Sequence, residues 1–328
     1  MLRGQEMTFS ICKLENKTIM NMITGFFFGL LGMIFFALYG LPKKFVRASQ
    51  REFMVSVGLG AALCTTIIGC LFLPDLGNIS FREIFMAYVC GFIWYAATLL
   101  WVISVDLIGF SRATPIKNLN CIFSVIYGIF FFHEYSWRKT WPLLAVFLGG
   151  LLIIIAVLLF SRLDLQDDPE PKSVVGSKFS LGFCLALLAG LGHASYVLPW
   201  RICLDKSSWG IVFFLFTGQG IFLAAIIAYF GVDAGRKWYH FRRIPLKEQA
   251  FGILSGILFA LAFACTIISI NTVGMAIGML LVNMNTIVAV PASAFILKEI
   301  DLKKGWKTII FGICLSFSGT LFLFLSKL

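Results

Sequence analysis

Lys117, Asn118 and Asn120 stand inside GFSRATPIKNLNCIFSVIYGIFFFHE, Gly109 to Glu134, a stretch otherwise apolar enough for lipid. A charge near the middle of a membrane helix costs about 2.5 to 3.5 kcal/mol even on the milder insertion scales. Lys117 must therefore face water, a partner or a ligand, or run its stem back to the headgroups. Helical spacing puts Ala113, Lys117, Asn120 and Ser124 on one face and turns Asn118 away, towards neighbouring helices. The same sorting further on groups Asn285 with Gly278 and Val282 and leaves Asn283 on another face. One amine and two facing amides, Lys117, Asn120 and Asn285, suit a ligand with many hydroxyls or a carboxylate. The competing reading is a set of interhelical amide hydrogen bonds, worth about 0.6 kcal/mol each.

Aromatic residues extend this set. His193 and Tyr196 lie at i, i+3, and Trp94, Tyr95 and Trp101 crowd one segment, offering planes on which a sugar ring can stack. The expected substrate-binding residues are thus Lys117, Asn120, Asn285, Trp94, His193 and Tyr196, although a lone histidine serves equally well as a hydrogen-bonded structural residue. Trp137, Trp141, Trp200, Trp238 and Trp306 read as interface anchors. Glu134 and Glu299 each precede a short basic loop, as gating ion pairs or as solvated charges. No convergent His, Asp or Glu set points to catalysis, and no GxxxxGK[ST] stretch or Cys/His cluster to a cofactor or metal.

The elements that must hold these residues are membrane helices. Of 328 residues, 59% are hydrophobic and 13% charged, which excludes an ordinary soluble domain. About 20 apolar residues cross a bilayer, and ten segments qualify: Met20 to Tyr39, Phe53 to Phe72, Ile84 to Ser104, Ile108 to Phe132, Trp141 to Phe160, Leu181 to Pro199, Gly210 to Phe230, Phe251 to Ile270, Val273 to Leu297 and Thr308 to Leu325. Of the 27 Lys and Arg residues, 17 flank one face, 9 flank the face of the termini and Lys117 lies between, so the expectation is a multi-pass cell-membrane protein with both termini outside. Spread over short loops, the net charge of +11 meets anionic lipid rather than nucleic acid. Of the nine cysteines, the eight in or beside the segments, all but Cys12, read as small buried apolar side chains. Residues 1–19, without the apolar core of a signal peptide, are a polar N-terminal segment.

The chain repeats itself. Gly25 to Phe45 laid on Gly182 to Ile202 matches Gly25/Gly182, Tyr39/Tyr196 and Pro42/Pro199 among others. Gly109 to Trp141 laid on Gly274 to Trp306 matches Asn118/Asn283, Asn120/Asn285, Glu134/Glu299 and Lys139/Lys304, polar pairs that shared greasiness does not produce. Residues 20–160 and 181–328 read as five-helix units joined by a polar, Pro-containing cytoplasmic linker at 161–180. Five crossings each make the units enter the membrane in opposite senses, an inverted repeat, which favours a carrier working by alternating access.

The doubled unit, with fourth helices closing on FFFHE and FILKE, resembles the drug/metabolite transporter superfamily over nearly the whole chain. LIGFSRATPI, Leu107 to Ile116, preceded by GFIWYAATLLWVISV, is similar to the glucose/ribose uptake permeases and the L-rhamnose/proton symporter. The resemblance implies a ten-helix carrier taking up a sugar or related metabolite by cation symport, with a central cavity formed by helices one, three, four and their repeat mates. Lys117 departs from the sugar branch and keeps an anionic metabolite, an amino acid, an amine or drug, or a non-transporting sensor as alternatives. No carboxylate lies at the centre of any segment, Asp106 being near the end of the third, so the coupling ion stays open between a proton and sodium.

Overall fold

The computed structural model describes residues 23–71, 80–130, 140–161, 163, 172–196, 198–199, 209–231, 234–273, 278, 281–300 and 302–325, and its elements are all helices. The first half holds α1 (Ile23–Phe45), which tightens into a 3₁₀ turn over Leu41–Phe45, α2 (Gln50–Cys70) and α3 (Phe81–Ile108). It continues with α4 (Phe110–Lys117), α5 (Asn120–Phe130) and α6 (Thr140–Ser161). The second half holds α7 (Lys172–Ser195), α8 (Trp209–Phe230), a short surface helix α9 (Ala234–Arg242), α10 (Leu246–Val273), α11 (Thr286–Ala292) with a π turn at Ser293–Leu297, and α12 (Leu302–Leu325).

Eight helices among the described residues are long and apolar enough to cross a membrane, against ten expected. The fourth and ninth segments are not among the eight; the described part of the ninth is a shorter apolar helix, Leu281–Leu297, and the hydrogen-bond ladder of both segments is interrupted. In the fourth, Leu119 N donates to Ile116 O and Cys121 N to Asn118 O, so the ladder steps to i→i−3 across Asn118 and Leu119. In the ninth, Met284 N donates to Leu281 O, Asn285 N to Val282 O and Ile287 N to Met284 O, the same step at Met284 and Asn285. Each broken segment also carries an internal proline, Pro115 or Pro291, which withdraws one ladder donor. The asparagines at the breaks offer side-chain partners that compete with the helix ladder.

Start signals match local chemistry. Ser49 and Glu52 form a reciprocal capping box on α2, and Ser80 N donates to Glu83 Oε2 at 3.0 Å on α3. α7 begins at Lys172, so the last nine residues of the expected linker continue a helix whose apolar span starts at Ser177. α9 occupies a stretch read as loop and buries no side chain.

The halves interlock. α3 packs on α7 and α8, α10 packs on α2 and the end of α1, α2 packs on α8, and α6 packs on α12. Ser104 Oγ on α3 donates to Gly182 O on α7 at 2.7 Å, and Ser269 Oγ on α10 donates to Gly25 O on α1 at 2.8 Å. Gly91 brings α3 against the backbone of α8, and Gly256 brings α10 against that of α2; a Cβ at either would overlap main-chain atoms.

The cysteines divide. Cys90, Cys121 and Cys265 are buried as expected, but Cys70, Cys184 and Cys314 are exposed on apolar outer faces, where a small apolar side chain is equally at home in lipid. Trp141, Trp238 and Trp306 are about half exposed, in keeping with anchoring, whereas Trp137 and Trp200 lie outside the described residues.

Candidate functional site

The two helix breaks meet at a central cavity. Lys117, the last residue of α4, and Asn120, the first of α5, line it from the first half; Val282, Asn283 and Asn285 line it from the second. Gly190 lets α7 pass directly beside the first break, since a Cβ there would strike Lys117 O. Trp94 from α3 and His193 and Tyr196 from the end of α7 complete the set, so all six residues chosen from the sequence share one wall. The cavity volume is about 30 Å³, room for two or three water molecules. A ring-sized solute therefore enters only as side chains move apart.

The aromatic frame is built from both halves. Trp94 and Phe259 pack as a tilted pair with centroids 3.9 Å apart, Tyr39 lies 6.2 Å from Trp94 and 6.4 Å from Phe259, and His193 meets Trp94 edge-on at 6.1 Å. Trp101 stands behind Tyr39, with centroids 5.0 Å apart, rather than on the cavity wall. Trp94 Nε1 and Tyr95 Oη are buried without a protein partner.

Lys117 does not snorkel. It is 3% exposed, and its Nζ sits 4.9 Å from the Trp101 ring and 5.4 Å from the Tyr39 ring. Two desolvated cation–π contacts, about 2 kcal/mol each, are of the size of the insertion cost, so the amine is held here without a carboxylate. Among the described residues Lys117 has no ion pair. His193 is satisfied at both nitrogens: Nδ1 lies 2.7 Å from Ala189 O, which can only accept, so Nε2 accepts from Thr98 Oγ1 at 3.2 Å. It contributes an aromatic edge with a fixed tautomer.

The amides form a bridge. Asn118 Nδ2 donates to Asn285 Oδ1 and to Thr286 Oγ1, joining the two breaks, as expected of a residue turned towards its neighbours. With its oxygen engaged, Asn285 has its NH₂ left for the cavity. Asn120 Oδ1 is buried without a protein partner. Asn283, expected on another face, lines the cavity as well, because the helical wheel does not carry through the turn at Met284.

One end of this core is closed by charge. Glu299 pairs with Lys44 at 2.8 Å, and its two oxygens accept from Phe110 N at 3.2 Å and Ser111 N at 3.0 Å, placing a carboxylate on the positive end of α4. Beside it, Asp106 pairs with Lys43 at 3.5 Å and accepts from Gln50 Nε2 at 2.8 Å. Glu299 is therefore a partly buried link rather than a solvated loop charge; Glu134 lies outside the described residues.

Sequence reasoning missed Phe36, Tyr39 and Thr266 on the cavity wall. Tyr39 was within reach, since it is the repeat mate of Tyr196, and applying the repeat to each candidate would have named it.

The family model described as "Sugar transport protein" matches residues 27–326. A "Putative sugar uptake protein" of Enterococcus faecalis is 22% identical over 294 residues, covering 86% of this chain and 92% of that protein. The "Glucose uptake protein GlcU" of Bacillus subtilis is 25% identical over 271 residues, 82% of this chain and 87% of that protein. A solved crystal structure aligns over 93% of this chain and 96% of its own with a TM-score of 0.59 at 12% identity, a likeness of fold alone. With its apolar helices gathered around a central cavity and a family match running almost end to end, this membrane protein belongs to the sugar transport protein family.

Proposed function

We propose that the chain takes up a neutral sugar, with glucose the first to test, by alternating access coupled to a cation. The observation that carries this reading is the convergence of Lys117, Asn120, Asn285, Trp94, His193 and Tyr196, drawn from both halves, on one cavity at paired helix breaks. Interrupted helices at corresponding positions of two repeats are where carriers hold substrates. Amide groups suit sugar hydroxyls, and the Trp94 and Tyr196 rings suit the apolar face of a pyranose.

A ten-segment, 5+5 inverted repeat is part of the proposal. It is supported by the exchanged serine bonds: Ser104 and Ser269 differ by the same 165 positions as Asn118 and Asn283, while Gly182 and Gly25 differ by the same 157 as Tyr196 and Tyr39. In that frame the Glu299–Lys44 pair would close the cavity towards the cytoplasm, and the excess of basic residues on that face supports both termini lying outside. Coupling to a proton or to sodium completes the uptake reading.

One observation favours a second reading. Lys117 has no carboxylate partner among the described residues, so an anionic sugar or other anionic metabolite would find a waiting counter-charge. A counterflow screen in proteoliposomes with sugars, sugar acids, amino acids and amines at two pH values tests both. Exchange restricted to neutral sugars supports the first reading, and exchange restricted to acids replaces it with the second.

A further inference from the structure

The bridge between the helix breaks is one-sided. Asn118, 5% exposed, donates from Nδ2 to Asn285 Oδ1 and to Thr286 Oγ1. At the 165-residue offset of the proposed repeat, Asn118 corresponds to Asn283, Asn285 to Asn120 and Thr286 to Cys121. The matching bridge therefore runs from Asn283 to Asn120 and Cys121, and it is not made: Asn120 Oδ1 is buried without a protein partner. Its three members nevertheless stand together. Asn283 lines the central cavity with Asn120, and with Cys121 it lines a smaller cavity on the other side of the breaks.

Two halves built alike and inverted reach the opposite-facing state by rocking about their shared site, each taking up the arrangement the other leaves. A buried acceptor left unpaired is costly, and the cost is removed when its own donor arrives. We infer that Asn118 and Asn283 are alternating positioning residues. Asn118 holds Asn285 in the present structure; in the opposite-facing state Asn283 holds Asn120, and the Asn118 bonds are released. Each state thus fixes one substrate amide by its oxygen, with its NH₂ left for the sugar, and leaves the oxygen of the other to accept from a hydroxyl. The exchange is unequal, because Cys121 offers a weakly bonding thiol where Thr286 offers a hydroxyl, so the Asn118 arrangement is the favoured one. This alternation rests on the inverted-repeat carrier reading, and its test is read without sugar.

The Glu299 closure accompanies the Asn118 bridge, so its opening reports the exchange. Phe110 and Ser111 are the first two residues of α4, whose amides have no acceptor within their own helix, and Glu299 holds both. Hydrogen–deuterium exchange at these two amides, followed by mass spectrometry on the purified full chain in nanodiscs, measures how often the closure opens. Asn118→Ala is expected to speed deuteration there at least about fivefold, and Asn283→Ala to slow it by about the same factor. An asparagine with a merely structural role speeds exchange when removed, at either position. Cys121→Ser, which supplies the missing hydroxyl, is expected to speed deuteration in the wild-type background and to leave it unchanged beside Asn283→Ala. Should Asn118→Ala fail to fold, Thr286→Val takes its place, and Asn283→Ser takes that of Asn283→Ala. Faster exchange in both asparagine variants, or a change in neither, overturns the alternation whether or not the protein exchanges glucose. Opposed shifts in a chain without glucose counterflow support the alternation and strike the sugar reading instead.

Discussion

Trp94 and Phe259 pack ring against ring, with centroids 3.9 Å apart and planes tilted by 38°, one from α3 and one from α10, at 165 positions' separation, the same offset that relates Asn118 to Asn283. In the proposed inverted repeat these two residues are mates, and mates that touch would lie on the axis relating the two halves. Phe36 and His193, mates at the 157-residue offset, flank the pair edge-on at 6.0 Å from Phe259 and 6.1 Å from Trp94.

This pair should govern stability. Trp94→Ala and Phe259→Ala are each expected to cost about 3 to 5 kcal/mol, and the double variant less than their sum by about 0.5 to 1.5 kcal/mol. Thermal unfolding of the detergent-solubilised protein measures this. Strict additivity would mean that the two rings do not support one another.

Glu299 should matter more than its partner. Removing Lys44 as Lys44→Gln breaks a half-exposed pair worth up to about 1 kcal/mol. Glu299→Gln exchanges the charge that both α4 amides and Lys44 share for a neutral group, with an expected loss of about 1 to 3 kcal/mol. A Lys44→Glu, Glu299→Lys swap should fail to restore stability, because it places a cation on the positive end of α4. Full rescue by the swap, read by unfolding temperature, would show that the ion pair alone holds this closure.

How much of this was legible beforehand depends on the kind of signal. Lys117, Asn120 and Asn285 stood out because polarity in an apolar run is costly, and cost is readable without coordinates. The proposed repeat rests on a sequence signal of another kind, the recurrence in register of Asn118/Asn283 and Glu134/Glu299. The helix breaks were not legible, since Asn118 and Pro115 are tolerated in continuous membrane helices and only the surrounding packing decides where a ladder steps. The face assigned to Asn283 failed for the same reason. Glu299 was visible as a candidate, but its capping of α4 joins residues almost 190 positions apart, beyond any local pattern.

The proposed orientation rests on the 17 to 9 distribution of basic residues. Reporter tags at Lys172 and Arg242 are expected to report cytoplasm, and tags at either terminus the outside. A cytoplasmic signal from a terminus would invert the assignment and place the Glu299 closure on the outer face.

Lys117→Gln separates the substrate readings, since glutamine keeps hydrogen-bonding capacity and approximate length but not charge. For a neutral sugar the variant should raise the apparent KM by about tenfold or less and retain exchange. Loss of nearly all exchange, with an unchanged unfolding temperature, would transfer the assignment to an anionic substrate.

The central claim is that sugar sits between the two helix breaks, and glucose counterflow in proteoliposomes for wild type, Asn120→Ala and Asn285→Ala tests it most directly. Saturable counterflow is expected in wild type, with at least about a tenfold loss of apparent affinity in each variant, the cost of a buried hydrogen-bonding group left unpaired on the sugar. Wild-type counterflow kinetics in both variants would contradict the account, since a sugar bound between Asn120 and Asn285 cannot be indifferent to losing either amide.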